Sequence, residues 1–220
     1  MFVIANFKQN LNIRDLKNYF KKWEELSKKF APKKNLKIIF CPSTIYLDYV
    51  SKQIKKYTNT FIGIQNISPF KKGSYTGEVG ANQAKDFARF CILGHSERRK
   101  YFKEDNKEIR QKVKNAIKEK VIPIVCISKK EQFLPKIKNI VYAYEPIENI
   151  GTGKAASIEK IKSFIASKPE NSKILYGGSV NTHNIKKLLS IKSINGFLIG
   201  SASLKPDSFF KIVQIINNND

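Results

Sequence analysis

Eight short runs rich in β-branched and aromatic residues recur along the chain, at 2–5, 36–41, 61–65, 90–93, 121–127, 140–144, 173–176 and 196–199. Most are nearly continuous apolar stretches rather than strict alternations, which suits strands covered on both faces, as in a parallel sheet flanked by helices. Stretches of helical period lie between them. The clearest places Leu16, Tyr19, Phe20, Trp23, Leu26 and Phe30 on one face behind a candidate cap at Asp15. Ser43 before 44–56, Ser157 before 158–167 and Thr182 before 183–191 offer comparable helix starts, with side-chain oxygens for the first orphan amides. Strand followed by helix, eight times over, predicts an α/β fold: a (β/α)₈ barrel of eight parallel strands inside a ring of helices. One unit is weak. About a dozen residues separate Ile127 from Ile140 and Pro135 interrupts them, so the fifth helix is expected to be shortened to little more than one or two turns. No linker, low-complexity tract or composition break divides the chain, which predicts a single domain over 1–220 with 217–220 as a polar tail.

With 41% hydrophobic and 27% charged residues, the chain can bury a sizeable core, which excludes an intrinsically disordered protein. The opening residues reach Asn6 before an apolar segment long enough for a signal peptide or membrane span can form, so no membrane partner and a cytoplasmic location are expected. Cys41, Cys91 and Cys126 are widely spaced among apolar neighbours, without a C-x-x-C pair or an adjacent histidine, and read as reduced, buried, structural thiols. Charge changes the picture more. Forty-one Lys and Arg against 18 Asp and Glu leave +23, a balance compatible with nucleic-acid binding, attraction of an anionic substrate, or a solvated surface of biased composition. The lysines come mostly as scattered pairs, such as Lys33-Lys34, Lys129-Lys130 and Lys186-Lys187, and this favours the solvated surface.

In a barrel of this kind the functional residues sit where the C-terminal strand ends meet the following loops. The chain's polar motifs fall there. Asn6-Phe7-Lys8 follows the first run, Gly94-His95-Ser96-Glu97-Arg98-Arg99 the fourth, and Tyr144-Glu145-Pro146 through Gly151-Thr152-Gly153-Lys154 the sixth. Gly177-Gly178-Ser179 and Gly200-Ser201 follow the seventh and eighth. The last two turns alone would identify only a phosphate ligand, because that region of many barrels grips phosphate with backbone amides.

Together, in this order and spacing, the five segments resemble the triosephosphate isomerase family over nearly the whole chain. The resemblance implies reversible interconversion of dihydroxyacetone phosphate and D-glyceraldehyde 3-phosphate through an enediolate, a step of glycolysis and gluconeogenesis, with no metal and no organic cofactor. It implies that Glu145 is the base and that His95 is a neutral electrophile, this family being a standard example of that role. Lys8 would supply positive charge, Asn6 would help hold the substrate, Glu97 would position Lys8, and Ser96 would open the supporting turn. Gly151, Ser179, Gly200 and Ser201 would grip the phosphate. Residues 146–154, including Pro146, Glu148, Gly153 and Lys154, would form a mobile lid that excludes water. The loop 73–78, with Thr76 at its tip and Glu78 behind it, would reach into a neighbour's site in a C₂ homodimer, with Arg98 and Arg99 in ion pairs at the interface.

The chain departs from the family pattern at the lid, where Glu148 stands for the usual tryptophan and Lys129 for its glutamate partner after the fifth strand. An ion pair between Glu148 and Lys129 is the expected replacement. Ser201 stands for a usual glycine and Asn195 for a usual aspartate, and His183 reads as a surface residue. A Schiff-base aldolase would need a lysine on the sixth strand, where the chain has Tyr142-Ala143-Tyr144-Glu145. The reading from another class is a basic barrel that binds nucleic acid or acidic surfaces as a second role. Its charge motivates it, but no nucleic-acid motif and no aromatic-flanked basic segment supports it.

Overall fold

The computed structural model describes residues 1–134 and 137–219; Pro135 and Asp220, each part of an expectation above, lie outside them. Eight parallel strands close on themselves in sequence order: β1 (Phe2–Asn6), β2 (Lys37–Cys41), β3 (Thr60–Ile64), β4 (Phe90–Leu93), β5 (Ile122–Ile127), β6 (Val141–Tyr144), β7 (Lys173–Tyr176) and β8 (Gly196–Ile199). Every apolar run is a strand, with its ends shifted by at most one residue. The reason for the unbroken runs is visible in the core. Ile4, Ile39, Ile92, Ile124, Ala143 and Leu175 pack together inside the barrel, while residues of the opposite parity, Val3, Ile38, Phe40, Leu93 and Val125, pack outward under the helices.

The helices are α1 (Ile13–Ser27), α2 (Leu47–Ile54), α3 (Ala81–Ala84), α4 (Ser96–Tyr101), α5 (Asn106–Lys118), α6 (Ile158–Ala166), α7 (Ile185–Leu189) and α8 (Pro206–Asn219). Leu16, Tyr19, Phe20 and Trp23 form the buried face of α1, as their spacing predicts. Its cap differs from the expected one. The Asn12 side chain accepts from the amides of Arg14 and Asp15, and the Asp15 carboxylate accepts from the Asn12 amide at 3.1 Å, so Asp15 closes a capping box as its third helical residue. Ser157 caps α6 as expected, accepting from the Lys160 amide at 3.2 Å. Ser43 caps nothing, and a 3₁₀ turn over Thr44–Tyr46 leads into α2. Nor does Thr182 start α7: Asn181 Oδ1 accepts the amides of His183 and Asn184 and turns the chain ahead of the helix. Residues 217–219 are the last turn of α8, not a tail.

The fifth unit is shortened, as expected. After β5 there is a 3₁₀ turn over Lys130–Gln132, and then Phe133 and Leu134 fold into the core. Phe133 meets the Tyr142 ring edge-on at 4.9 Å, and the Leu134 amide donates to the Tyr142 hydroxyl at 3.1 Å. Two side chains thus cover the strand face that a helix would otherwise cover. All three cysteines are free and buried, and burial raises each thiol above its ordinary value. No described helix is long and apolar enough to cross a membrane.

Phe40 on β2 joins α1 to α8 across the outer layer. Its fully buried ring lies 5.0 Å from Trp23, 5.3 Å from Phe20 and 5.6 Å from Phe209, all tilted or edge-on. Phe40→Ala is therefore expected to lower unfolding free energy by about 3–5 kcal/mol, measured by denaturant titration, with Phe40→Leu losing much less.

Candidate active site

Barrel closure delivers the polar motifs to one mouth. A cavity of about 210 Å³ there is lined by Asn6, Lys8, His95 and Glu145 on one side and by Gly151, Gly153, Ser179, Gly200 and Ser201 on the other. Nine predicted site residues from five strand ends thus share one space. Glu78, Glu97 and Arg98 line an adjoining cavity of about 730 Å³ that also reaches Asn6, Lys8 and His95. Thr76, Ser96, Pro146, Glu148 and Lys154 line neither, and His183 is exposed as expected.

Glu145 and His95 are buried against each other, with His95 Nε2 3.0 Å from Glu145 Oε1. The other carboxylate oxygen accepts from the Ser96 amide at 3.0 Å. Burial pushes both groups toward their neutral forms, and their mutual attraction outweighs it. His95, the Ser96 amide and Lys8 hold the Glu145 carboxyl below its ordinary value, and the adjacent carboxylate raises His95. Geometry at the second ring nitrogen favours the neutral histidine. Nδ1 accepts the Glu97 amide at 3.3 Å, at the start of α4, and an imidazolium has no lone pair to do so. Because the upward pull on His95 comes chiefly from Glu145, a carboxylate turned toward a substrate leaves the neutral, Nε2-protonated ring favoured.

Lys8 is held in a strained seat. Its φ of 52° is uncommon for a residue with a side chain. Three hydrogen bonds retain it: its amide donates to Asn6 Oδ1 at 3.1 Å, and its carbonyl accepts from Gln65 Nε2 at 2.9 Å and Ser43 Oγ at 3.2 Å. The ammonium then meets Glu97 at 2.6 Å across the mouth. Among the non-glycine residues lining this cavity, Ser179 is also held at positive φ, at 50°.

The segment after β6 arches over the cavity. The Ala156 amide donates to the Tyr176 hydroxyl at 2.8 Å, the Gly153 amide to Ser179 Oγ at 3.3 Å, and Asn181 Nδ2 to the Gly153 carbonyl at 3.0 Å. Gly178 leaves room for the first latch, since a Cβ there would lie 2.3 Å from the Tyr176 hydroxyl. The expected Glu148–Lys129 pair does not form. Glu148 pairs instead with Lys160 on α6, while the Ser128 and Lys129 amides turn in to bind Gln132 Oε1.

Residue-type reasoning missed several supports. Gln65 directly follows β3 and so stood at a strand end, the one signal that could have found it. Lys112 is buried, pairing with Glu104 at 2.6 Å and Glu108 at 2.8 Å, and Glu104 also binds Arg98. This network seats α4 and its histidine cap. Among the described residues of its own chain Arg99 meets no carboxylate. Its guanidinium donates to the carbonyls of Gly94 and Cys126, at 2.8 and 3.2 Å, and ties β4 to β5.

The family model for triosephosphate isomerase matches residues 1–216. This chain belongs to the triosephosphate isomerase family. A triosephosphate isomerase from Mesomycoplasma hyorhinis is 37% identical over 97% of this chain and 97% of its own length. One from Dictyoglomus turgidum is 36% identical over 96% of this chain and 98% of its own, and one from Alkaliphilus oremlandii is 39% identical over 80% and 85%. Isomerase chemistry on triose phosphates is the activity of this triosephosphate isomerase fold, and glycolysis is its setting.

Replacing Gln65 by Ala removes the donor shared by the Lys8 and Cys41 carbonyls. Stability should fall by about 1–3 kcal/mol in denaturant titration, and kcat/KM should fall with it as the Lys8 seat loosens.

Proposed function

We propose that this mouth interconverts dihydroxyacetone phosphate and D-glyceraldehyde 3-phosphate with Glu145 as base, His95 as electrophile and Lys8 as fixed cation. The reading rests on one observation above all: a buried carboxylate 3.0 Å from a buried imidazole, with an ammonium lining the same small cavity. Glu145 takes a proton from the carbon beside the carbonyl. The electron pair moves onto the carbonyl oxygen, where the His95 Nε2–H and the Lys8 ammonium face the developing charge. The hydroxyl proton crosses between the two oxygens, with His95 placed to relay it, and returning the carbon-bound proton to the neighbouring carbon completes the interconversion. Asn6 holds the substrate, Glu97 positions Lys8, and amides at Gly151, Ser179, Gly200 and Ser201 receive the phosphate, the glycines allowing close approach. Pro146 to Lys154 act as the lid.

Assembly as a C₂ homodimer completes the site in this reading. The cavity of about 730 Å³ beside Lys8 and His95 is open, and its rim carries Tyr101 and Phe102, each 66% exposed. Thr76 is exposed and, unlike Glu78 behind it, does not line its own chain's cavity, which supports its insertion into a partner's. A single domain working in the cytoplasm fits the same reading.

Two experiments test this. In a coupled assay the native protein should interconvert the two triose phosphates, and Glu145→Gln should lose activity by orders of magnitude. Because His95, the Ser96 amide and Lys8 hold the free carboxyl below the ordinary glutamate value, protonation of Glu145 itself should lower kcat/KM only on the acid side of that value. A limb near pH ~6 would instead report ionisation of the substrate phosphate, and it should persist unchanged in Glu145→Asp. For assembly, Thr76→Arg should shift the mass measured by light scattering from dimer to monomer and lower activity at least tenfold; a monomeric, fully active native protein would sink the homodimer.

A further inference from the structure

Two polar ties cross the base of the arch that covers the cavity. At its start, Glu148 pairs with Lys160, both side chains being about half exposed (54% and 53%). One residue on, Asn149 Nδ2 donates 3.1 Å to the carbonyl of Lys154 at the far limb. The Asn149 carbonyl also accepts from Ser179 Oγ and Thr152 Oγ1. Lys160 itself stands on fixed ground. It lies on α6, whose Phe164 stacks on Tyr144 of β6 with 3.7 Å between ring centroids and 10° between planes. Between the ties the arch touches the barrel at Gly153, through Ser179 and Asn181, and its backbone is otherwise open: Gly151 and Gly153 both have φ of 76°, and a Cβ at either would meet nothing within 4 Å.

We propose that Lys160 is a positioning residue for the arch, and that the Glu148–Lys160 pair and the Asn149 amide together brace it shut over the phosphate end of the cavity. Ordering such an arch costs backbone entropy on every closing event. A brace between its two feet shortens the free segment to the few residues around Gly151, so less order has to be gained when an anion binds. The ion pair reaches from the moving segment to a packed helix, so its loss should free the arch without disturbing the barrel. Exposed charges are screened by salt, so the brace should weaken as ionic strength rises.

The inference builds on the functional reading above, but its first readout is independent of catalysis. Amide hydrogen exchange over residues 149–156 would be measured in the full-length native protein and in Glu148→Gln, Lys160→Gln and the double variant. Each single variant should speed exchange about two- to fivefold, the double no further, and Lys160→Arg should restore protection. About 0.5 M salt should bring the native protein toward the variants. The second readout is release of inorganic phosphate per turnover. In an open site the enediolate electron pair can expel the phosphate, breaking the carbon–oxygen ester bond and leaving a three-carbon enol that becomes an oxo-aldehyde. That leak should rise two- to fivefold in the single variants, with kcat for isomerisation changing less. Unchanged exchange in both singles, or additive effects in the double, overturns the brace. A native protein without isomerase activity, but with coupled exchange effects, overturns the functional reading and leaves the brace standing.

Discussion

The site exists only because the barrel closes, and closure is decided where β8 meets β1. Gly196 lies opposite Phe2 at this seam with φ of 156°. A Cβ there would fall 2.1 Å from the Phe2 carbonyl oxygen, closer than any atom can stand, so only glycine lets the two backbones approach to hydrogen-bonding distance. One residue beyond the end of β8 the same seam places Gly200 against the Lys8 side chain, where a Cβ would be 3.3 Å from Cε. The Gly200–Ser201 turn and the Lys8 ammonium are neighbours because the first and last strands are paired.

From that seam the electrostatics follow. Lys8 holds a backbone conformation that costs energy, and contacts from three different strand ends retain it. Glu97 then fixes the ammonium from the far side of the mouth. Such a cation needs little reorganisation as negative charge develops, which is the condition under which a preorganised group lowers a barrier. The excess of +23 acts at longer range, raising the concentration of anions around the molecule.

The strands were legible because burial on both faces writes an unbroken apolar run that needs no partner to interpret. The gathering of the polar motifs at one mouth was legible too, since the rule that sites occupy strand ends turned short motifs into positions. Helix starts were less readable. Asp15 and Asn12 cap each other reciprocally, and a pattern of residue types does not say which of the two precedes the first turn. Contacts between distant segments were least readable. Glu148 had several lysines within reach of an expectation, and the one it meets depends on the packing of Phe164 under α6. Lys112 looked like any other lysine until α5 folded it against Glu104.

The reduced unit after β5 lies on the outer wall, and none of its turn or plug residues borders either cavity. Phe133 and Leu134 keep the wall dry there without a full helix. Material can therefore be pared from the circumference of this barrel while its mouth stays unchanged, provided a pair of apolar side chains remains to plaster the gap. The scaffold and the chemistry answer to separate accounts of length: one is set by how much wall must be shielded from water, the other by how five strand ends meet.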